Sequence, residues 1–292
     1  MKTYKRVLTI AGSDSGGGAG IQADIKSISA NGCYAASAIT AITVQNTLGV
    51  QAVQEIPSEM VSGQINAVLG DIGADAIKIG MLHSPVVIRA VACALRQFHA
   101  ANIVLDPVMV ATSGDRLMML DAVQTLRQEL IPMARVITPN IPEAEVLSGT
   151  TIDGQGRLAE VARRLAEAFH TSVLLKAGHL VGDTLTDVLY DNEAHQCHYY
   201  ESARIPTVNT HGTGCTLSSA LAAQLAKGLT LPDAVAKAKQ YISQAIIEGA
   251  KYRIGHGHGP VHHFFAASAA EHSDHPKRWN RASDTAGQTN GK

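Results

Sequence analysis

The stretch VLTIAGSDSGGGAGIQADIKSISA, Val7 to Ala30, decides the architecture. Val7 to Ala11 is a short apolar run that reads as a buried strand, and a glycine-rich decapeptide, Ala11 to Gly20, follows at once. Ile21, Ile25 and Ile28 then recur at helical spacing over Ile21 to Ala30, with Asn31-Gly32 as the stop signal. Glycines between a strand and a helix let a ligand touch the backbone, and the helix start offers free amide groups. A flexible turn would use the same residues, and Gly16 to Gly20 does not follow the dinucleotide fingerprint well.

Further apolar runs at Ala35 to Val44, Ala76 to Ile79, Ile103 to Leu105, Val136 to Thr138 and Val173 to Lys176 read as strands. Between and after them, helical spacing is legible over Pro85 to Phe98, Leu158 to Phe169, Thr216 to Ala226 and Pro232 to Gly249. This alternation predicts βαβ units around a mostly parallel sheet. Leu185 to Tyr190 and Gln196 to Tyr200 alternate like a hairpin turning at Asp191-Asn192, and so predict an antiparallel edge. The domain is expected to end at residue 265, with residues 266–292 a polar, disordered tail.

Composition narrows the function classes. The 292 residues carry a net charge of −1, without a basic run, and only 4% are aromatic, which argues against nucleic acid as partner. Cys33, Cys93, Cys197 and Cys215 form no CxxC pair, so neither a disulfide framework nor a zinc ribbon is expected. The N-terminal apolar stretch is too short for a signal peptide or a membrane span, so a cytoplasmic enzyme is the default.

Three segments carry chemistry. His211-Gly212-Thr213-Gly214-Cys215-Thr216 precedes an Ala-rich helix. Small residues there let successive N–H groups converge on one point, the kind of nest that stabilises a phosphoryl group in transfer. Cys215 would lie in the first turn, where a thiol pKa tends to fall, and could accept a proton from a hydroxyl; an ordinary helix start with a buried Cys is the plainer reading. Asp106 ends one strand, and Asn140 and Glu143 follow another. Strand C-terminal ends are where open α/β sheets bind ligands, and such oxygens suit magnesium, although Asn140 and Glu143 also fit a capping box. Lys176 closes a strand where it would neutralise phosphates or merely snorkel off the sheet. Gln45 pairs a donor with an acceptor, matching an aminopyrimidine edge. The histidines His256, His258, His262 and His263 lack a regular metal-ligand spacing and read as structural.

Together these segments resemble the hydroxymethylpyrimidine and phosphomethylpyrimidine kinases of thiamine biosynthesis, within the ribokinase superfamily. The resemblance runs from Lys5 to Phe265 and rests on AGSDSGGGAGIQADIK from Ala11, TVQNTLGV from Thr43, KIGM from Lys78, DPVM from Asp106, TPNIPEAEVL from Thr138, LLKAGH from Leu174 and NTHGTGCTLSSALAA from Asn209. It implies a three-layer α/β/α ribokinase-like fold, a homodimer, and transfer of the γ-phosphoryl of ATP, with Mg2+, to a hydroxymethyl oxygen and then to the resulting phosphate. By position it makes Cys215 the group that activates the hydroxyl, Gly212 to Cys215, Gly214 included, the anion hole, and Thr213 part of the nucleotide site. Gln45 becomes the pyrimidine reader, with Gly12, Ala19, Asp24, Met81 and Val108 around it. Asp106, Asn140 and Glu143 form the magnesium network, and Lys176 meets the γ-phosphate of the nucleotide.

Four alternatives compete. A pyridoxine or pyridoxal kinase of the same superfamily is the nearest. Other sugar kinases usually carry an aspartate where Cys215 stands. A non-catalytic ligand-binding member of the fold would not need the acidic, lysine and cysteine positions, and a dinucleotide-binding oxidoreductase lacks its acidic partner after the second strand.

Overall fold

The computed structural model describes residues 3–109, 117–178, 180 and 182–267. Among these residues nine strands form one sheet: β1 (Arg6–Asp14), β2 (Tyr34–Asn46), β3 (Gly49–Glu55), β4 (Ala76–Ile79), β5 (Ile103–Leu105), β6 (Val136–Ile137), β7 (Ser172–Leu175), β8 (Thr184–Asp191) and β9 (Gln196–Ala203). Their spatial order is β3-β2-β1-β4-β5-β6-β7-β8-β9. The six strands from β2 to β7 run parallel, and antiparallel strands close both edges: β3 on β2, and the β8–β9 hairpin on β7. The hairpin edge was legible in the sequence; β3 was not anticipated, because its exposed, half-polar residues carry little strand signal.

Among the described residues eight α-helices cover the sheet: α1 (Gly20–Ala30), α2 (Ser58–Ala67), α3 (Pro85–Gln97), α4 (Leu120–Glu129), α5 (Ile141–Ser148), α6 (Leu158–Phe169), α7 (Thr213–Ala226) and α8 (Leu231–Gly249). A parallel strand is buried on both faces, so its side chains must alternate between two cores. Leu8, Ile10, Ile77, Ile79, Ile103 and Leu105 pack with α2 to α6 in one core. Val7, Ala76, Val104, Val136 and Leu174 pack with α1, α7 and α8 in the other. This is the three-layer α/β/α arrangement expected.

Local signals set several boundaries. Ser84 caps α3, its Oγ accepting from Val87 N, with Pro85 in the first turn. Thr230 caps α8 in the same way, ahead of Pro232. The histidine-rich segment packs back onto the domain. His258 N donates to Thr47 O, the chain pairs at His211 and Pro260, and the buried His263 ring contacts Thr216 Oγ1 at 3.0 Å. Among the described residues no group of His, Cys, Asp and Glu is placed to hold a metal ion alone, and no helix is long and apolar enough to cross a membrane. Of the expected tail, residues 268–292 lie outside the described residues.

Candidate active site

The chain leaves β1 first to β2 on one side and later to β4 on the other, which makes the β1/β4 junction the switch point where such sheets open a crevice. A cavity of about 620 Å3 lies there. Asp106, Asn140 and Lys176, which follow β5, β6 and β7, line it, and the start of α7 faces them.

Gly212 precedes α7 at φ +78, and a Cβ on it would collide with the carbonyl oxygen of Gly18. The glycine therefore lets the loop before α7 close on the loop before α1. Gly214 is constrained from the other side: a Cβ there would stand 3.3 Å from Lys176 Nζ and 3.4 Å from Asp106 Oδ2. Thr213 N donates to Thr210 O and Thr216 N to Gly212 O. Gly214 and Cys215, the second and third helical residues, present N–H groups with no acceptor inside the helix. These amides, the Lys176 ammonium and the Asp106 carboxylate surround one small space.

Lys176 Nζ donates to Asp106 Oδ1 at 2.9 Å, and Thr138 Oγ1 donates to the same oxygen. Burial alone would raise Asp106, but Lys176 and then Lys78 hold it below the usual carboxylate range. Burial would likewise lower Lys176; Asp106 and Glu143 outweigh it and keep the lysine charged. Glu143 behaves differently. Burial, which Lys176 only partly offsets, pushes it up to about 7.

The acidic trio is corrected at one position. Asn140 Oδ1 accepts from Glu143 N while Glu143 Oε2 accepts from Asn140 N, a complete capping box on α5. Asn140 lines the cavity, but its side-chain oxygen serves the helix and is not a free metal ligand. The Asp106 and Glu143 carboxylates remain, the latter also accepting from the Met109 backbone.

Two further expectations are corrected. Cys215 is mostly buried and lines the cavity. Its pKa is not lowered by its place in the helix: burial among packed protein pushes it up to about 11, with Lys78 the main opposing influence. Asp24 does not reach the cavity at all. One turn into α1 it turns inward, fully buried, and accepts from Lys78 Nζ, Thr9 Oγ1 and Ser219 Oγ. Gly12, Ala19, Gln45, Met81 and Val108 do line the cavity. The Gln45 amide sits 3.5 Å from the His211 ring and accepts from Thr43 Oγ1.

Sequence reasoning quoted Asp14, His211 and Lys78 only inside longer motifs. Asp14 Oδ2 accepts from Gly18 N, Ala19 N and the His211 ring, and its other oxygen from Gly16 N. Asp14 thereby shapes the first glycine loop. An acid followed by glycines was the available signal. For Lys78 it was a charge in the middle of the apolar strand Ala76–Ile79. Asp187 on β8, which accepts from Ala177 N and Lys239 Nζ at the far end of the cavity, left no such signal.

A switch-point cavity where a helix N-terminus, a lysine and a carboxylate meet defines a phosphotransferase of the ribokinase-like class. The chain belongs to the phosphomethylpyrimidine kinase family, which matches residues 14–262. It is 51% identical over 260 residues to the hydroxymethylpyrimidine/phosphomethylpyrimidine kinase of Rhizobium meliloti (strain 1021), covering 88% of this chain and 96% of that one. The phosphomethylpyrimidine kinase of Clostridium difficile 630 superposes with a TM-score of 0.74 at 42% identity, over 83% of this chain and 99% of that one. An ADP complex of Bacillus subtilis pyridoxal kinase superposes at 0.82 with 36% identity, over 89% and 98%.

Proposed function

We propose that the protein phosphorylates 4-amino-5-hydroxymethyl-2-methylpyrimidine and then its monophosphate, with ATP as donor, in thiamine biosynthesis. The observation that carries this reading is the convergence of the α7 amides, Lys176 and Asp106 on one point beside the Cys215 sulfur. The pyrimidine lies in the part of the cavity formed by Gly12, Ala19, Gln45, Met81 and Val108, with Gln45 reading its amino edge. The nucleotide lies toward Thr213, Lys176 and β8. The Bacillus subtilis pyridoxal kinase with bound ADP supports a nucleotide in this fold.

The hydroxyl oxygen attacks the γ-phosphorus as the bond to the β-phosphate oxygen breaks, and that electron pair leaves with ADP. Charge spreads over the transferring oxygens, where the Gly214 and Cys215 amides and Lys176 stabilise it. Cys215 orients the hydroxyl and, as thiolate, takes its proton. With a thiol raised to about 11, only a small fraction is in that form at neutral pH. Little covalent chemistry falls to the protein, so positioning dominates. Asp106 and Glu143 fit a magnesium ion that retains waters and binds phosphates, since two carboxylates face one corner and no closed protein cage is present among the described residues. Such an ion neutralises phosphate charge. The proposal extends to a kinase domain over residues 1–265, a cytoplasmic enzyme and a homodimer.

A coupled ADP-release assay with hydroxymethylpyrimidine, its monophosphate and pyridoxal as separate acceptors tests this. A kcat/KM for pyridoxal above that of both pyrimidines would replace the reading with a pyridoxal kinase.

A further inference from the structure

The fully buried Lys78–Asp24 pair is not used by the reaction as described. Two carboxylate contacts of 2.8 Å join them, and both side chains are completely shielded from solvent. Burying a charge pair costs several kcal/mol per ion, and apolar residues fill such positions as well or better. The surroundings point to a use for it. Lys78 follows Ala76 and Ile77 on β4 and points to the α1/α7 side, flanked by Thr9 on β1 and Val104 on β5 in a layer that is otherwise apolar. Two helices meet above it in register. Gly20 and Asp24 lie one turn apart on α1, and Cys215 and Ser219 one turn apart on α7. Ser219 Oγ donates to Asp24 Oδ1 at 2.7 Å and so ties α7 to α1 one turn beyond Cys215. Thr9 Oγ1 holds the other oxygen of Asp24 at 2.6 Å. A Cβ on Gly80 would lie 2.6 Å from Lys78 Nζ, so the glycine leaves the space the ammonium occupies.

We infer that Lys78 is a positioning residue for phosphoryl transfer: its ammonium, held by Asp24 under the start of α7, supplies the positive charge that favours the charged form of the Cys215 sulfur. The inference rests on the role proposed for Cys215 above. The charges facing the sulfur are Lys78 from β4, Asp24 from α1, Asp106 after β5 and Lys176 after β7; the attraction of Lys78 exceeds the opposing effect of either carboxylate. Asp24 fixes the lysine in place and offsets part of its charge at the sulfur, while Ser219 and Thr9 hold its two oxygens.

The test is iodoacetamide labelling of Cys215 at pH 8, followed by mass spectrometry of its peptide, in full-length wild type, Lys78→Met, Asp24→Asn/Lys78→Met and Lys78→Arg. The double variant also removes the opposing Asp24 charge, so it is expected to label more slowly than wild type but less so than Lys78→Met, and it decides the matter if the single variant does not fold. Loss of Lys78 is expected to slow labelling about tenfold, the equivalent of one pKa unit. kcat should fall in parallel while the KM for ATP holds, and Lys78→Arg should restore part of both. A folded double variant labelled at the wild-type rate overturns the inference, as does faster labelling, which marks loosened packing. Near-normal turnover of Cys215→Ala is a separate result: it removes the base assignment and leaves the charge coupling standing.

Discussion

The His211 ring meets Asp14 Oδ2 at 2.8 Å across 197 positions of sequence, and this contact joins the two glycine loops of the site. The same carboxylate gathers the N–H groups of Gly16, Gly18 and Ala19, while His211 N is anchored to Gly259 O. His211, Gly18 and Pro260 pack so closely that a Cβ on Gly18 would stand 2.5 Å from the ring. Burial would raise Asp14, but His211 and the loop amides hold it below the ordinary carboxylate range, and Asp14→Asn keeps the shape while removing the charge they stabilise. It is expected to lower stability by about 1–3 kcal/mol and to raise the acceptor KM more than that of ATP. Urea melts and two-substrate kinetics check both.

Cys215→Ala is expected to lose about two orders of magnitude in kcat while isothermal titration still shows ATP binding. Burial raises the thiol to about 11, so the reactive thiolate grows as pH rises. Below that value kcat/KM of the wild type therefore climbs with pH, and the limb is missing in Cys215→Ala. A flat wild-type profile from pH 7 to pH 9 would contradict the assignment.

Gln45→Ala should raise the pyrimidine KM about tenfold or more, from loss of hydrogen bonds worth about 1.5 kcal/mol, with little change for ATP. Equal effects on both substrates would deny Gln45 its reading role.

His263 provides an acid-stability handle. Burial pushes its folded pKa down to about 4 from the ordinary 6.5. The neutral ring thus contributes stability fully above pH 6.5, and that contribution disappears as pH falls through about 4. Relative to His263→Gln, the wild type should lose on the order of 2–3 kcal/mol between pH 7 and pH 4, read from denaturant melts at each pH.

The parallel core was readable because strands buried on both faces must be apolar throughout; Ile103–Leu105 and Ala76–Ile79 stand out for that reason. The edge strand β3 was not, since GVQAVQE faces solvent at several positions and lacks the signature of burial. Among site residues, those whose position follows from a strand end, Asp106 and Lys176, fell where expected. Asp24 did not, because one helical turn from Gly20 rotates its side chain toward Ser219 and Lys78, and spacing along a motif does not report which way a helix faces. The direction of the Cys215 shift was also out of reach: first-turn position is visible in a sequence, whereas the packing that outweighs it is not.

That packing has a consequence for durability. Peroxide attacks sulfur as the thiolate, and a first-turn cysteine with a lowered pKa would drift toward sulfenic and then irreversible sulfinic acid. A sulfur held mostly protonated until a substrate arrives is a poor target for such oxidants. The exposed Cys93 is the more accessible thiol on this chain, and oxidative damage should accumulate there while the Cys215 sulfur is spared.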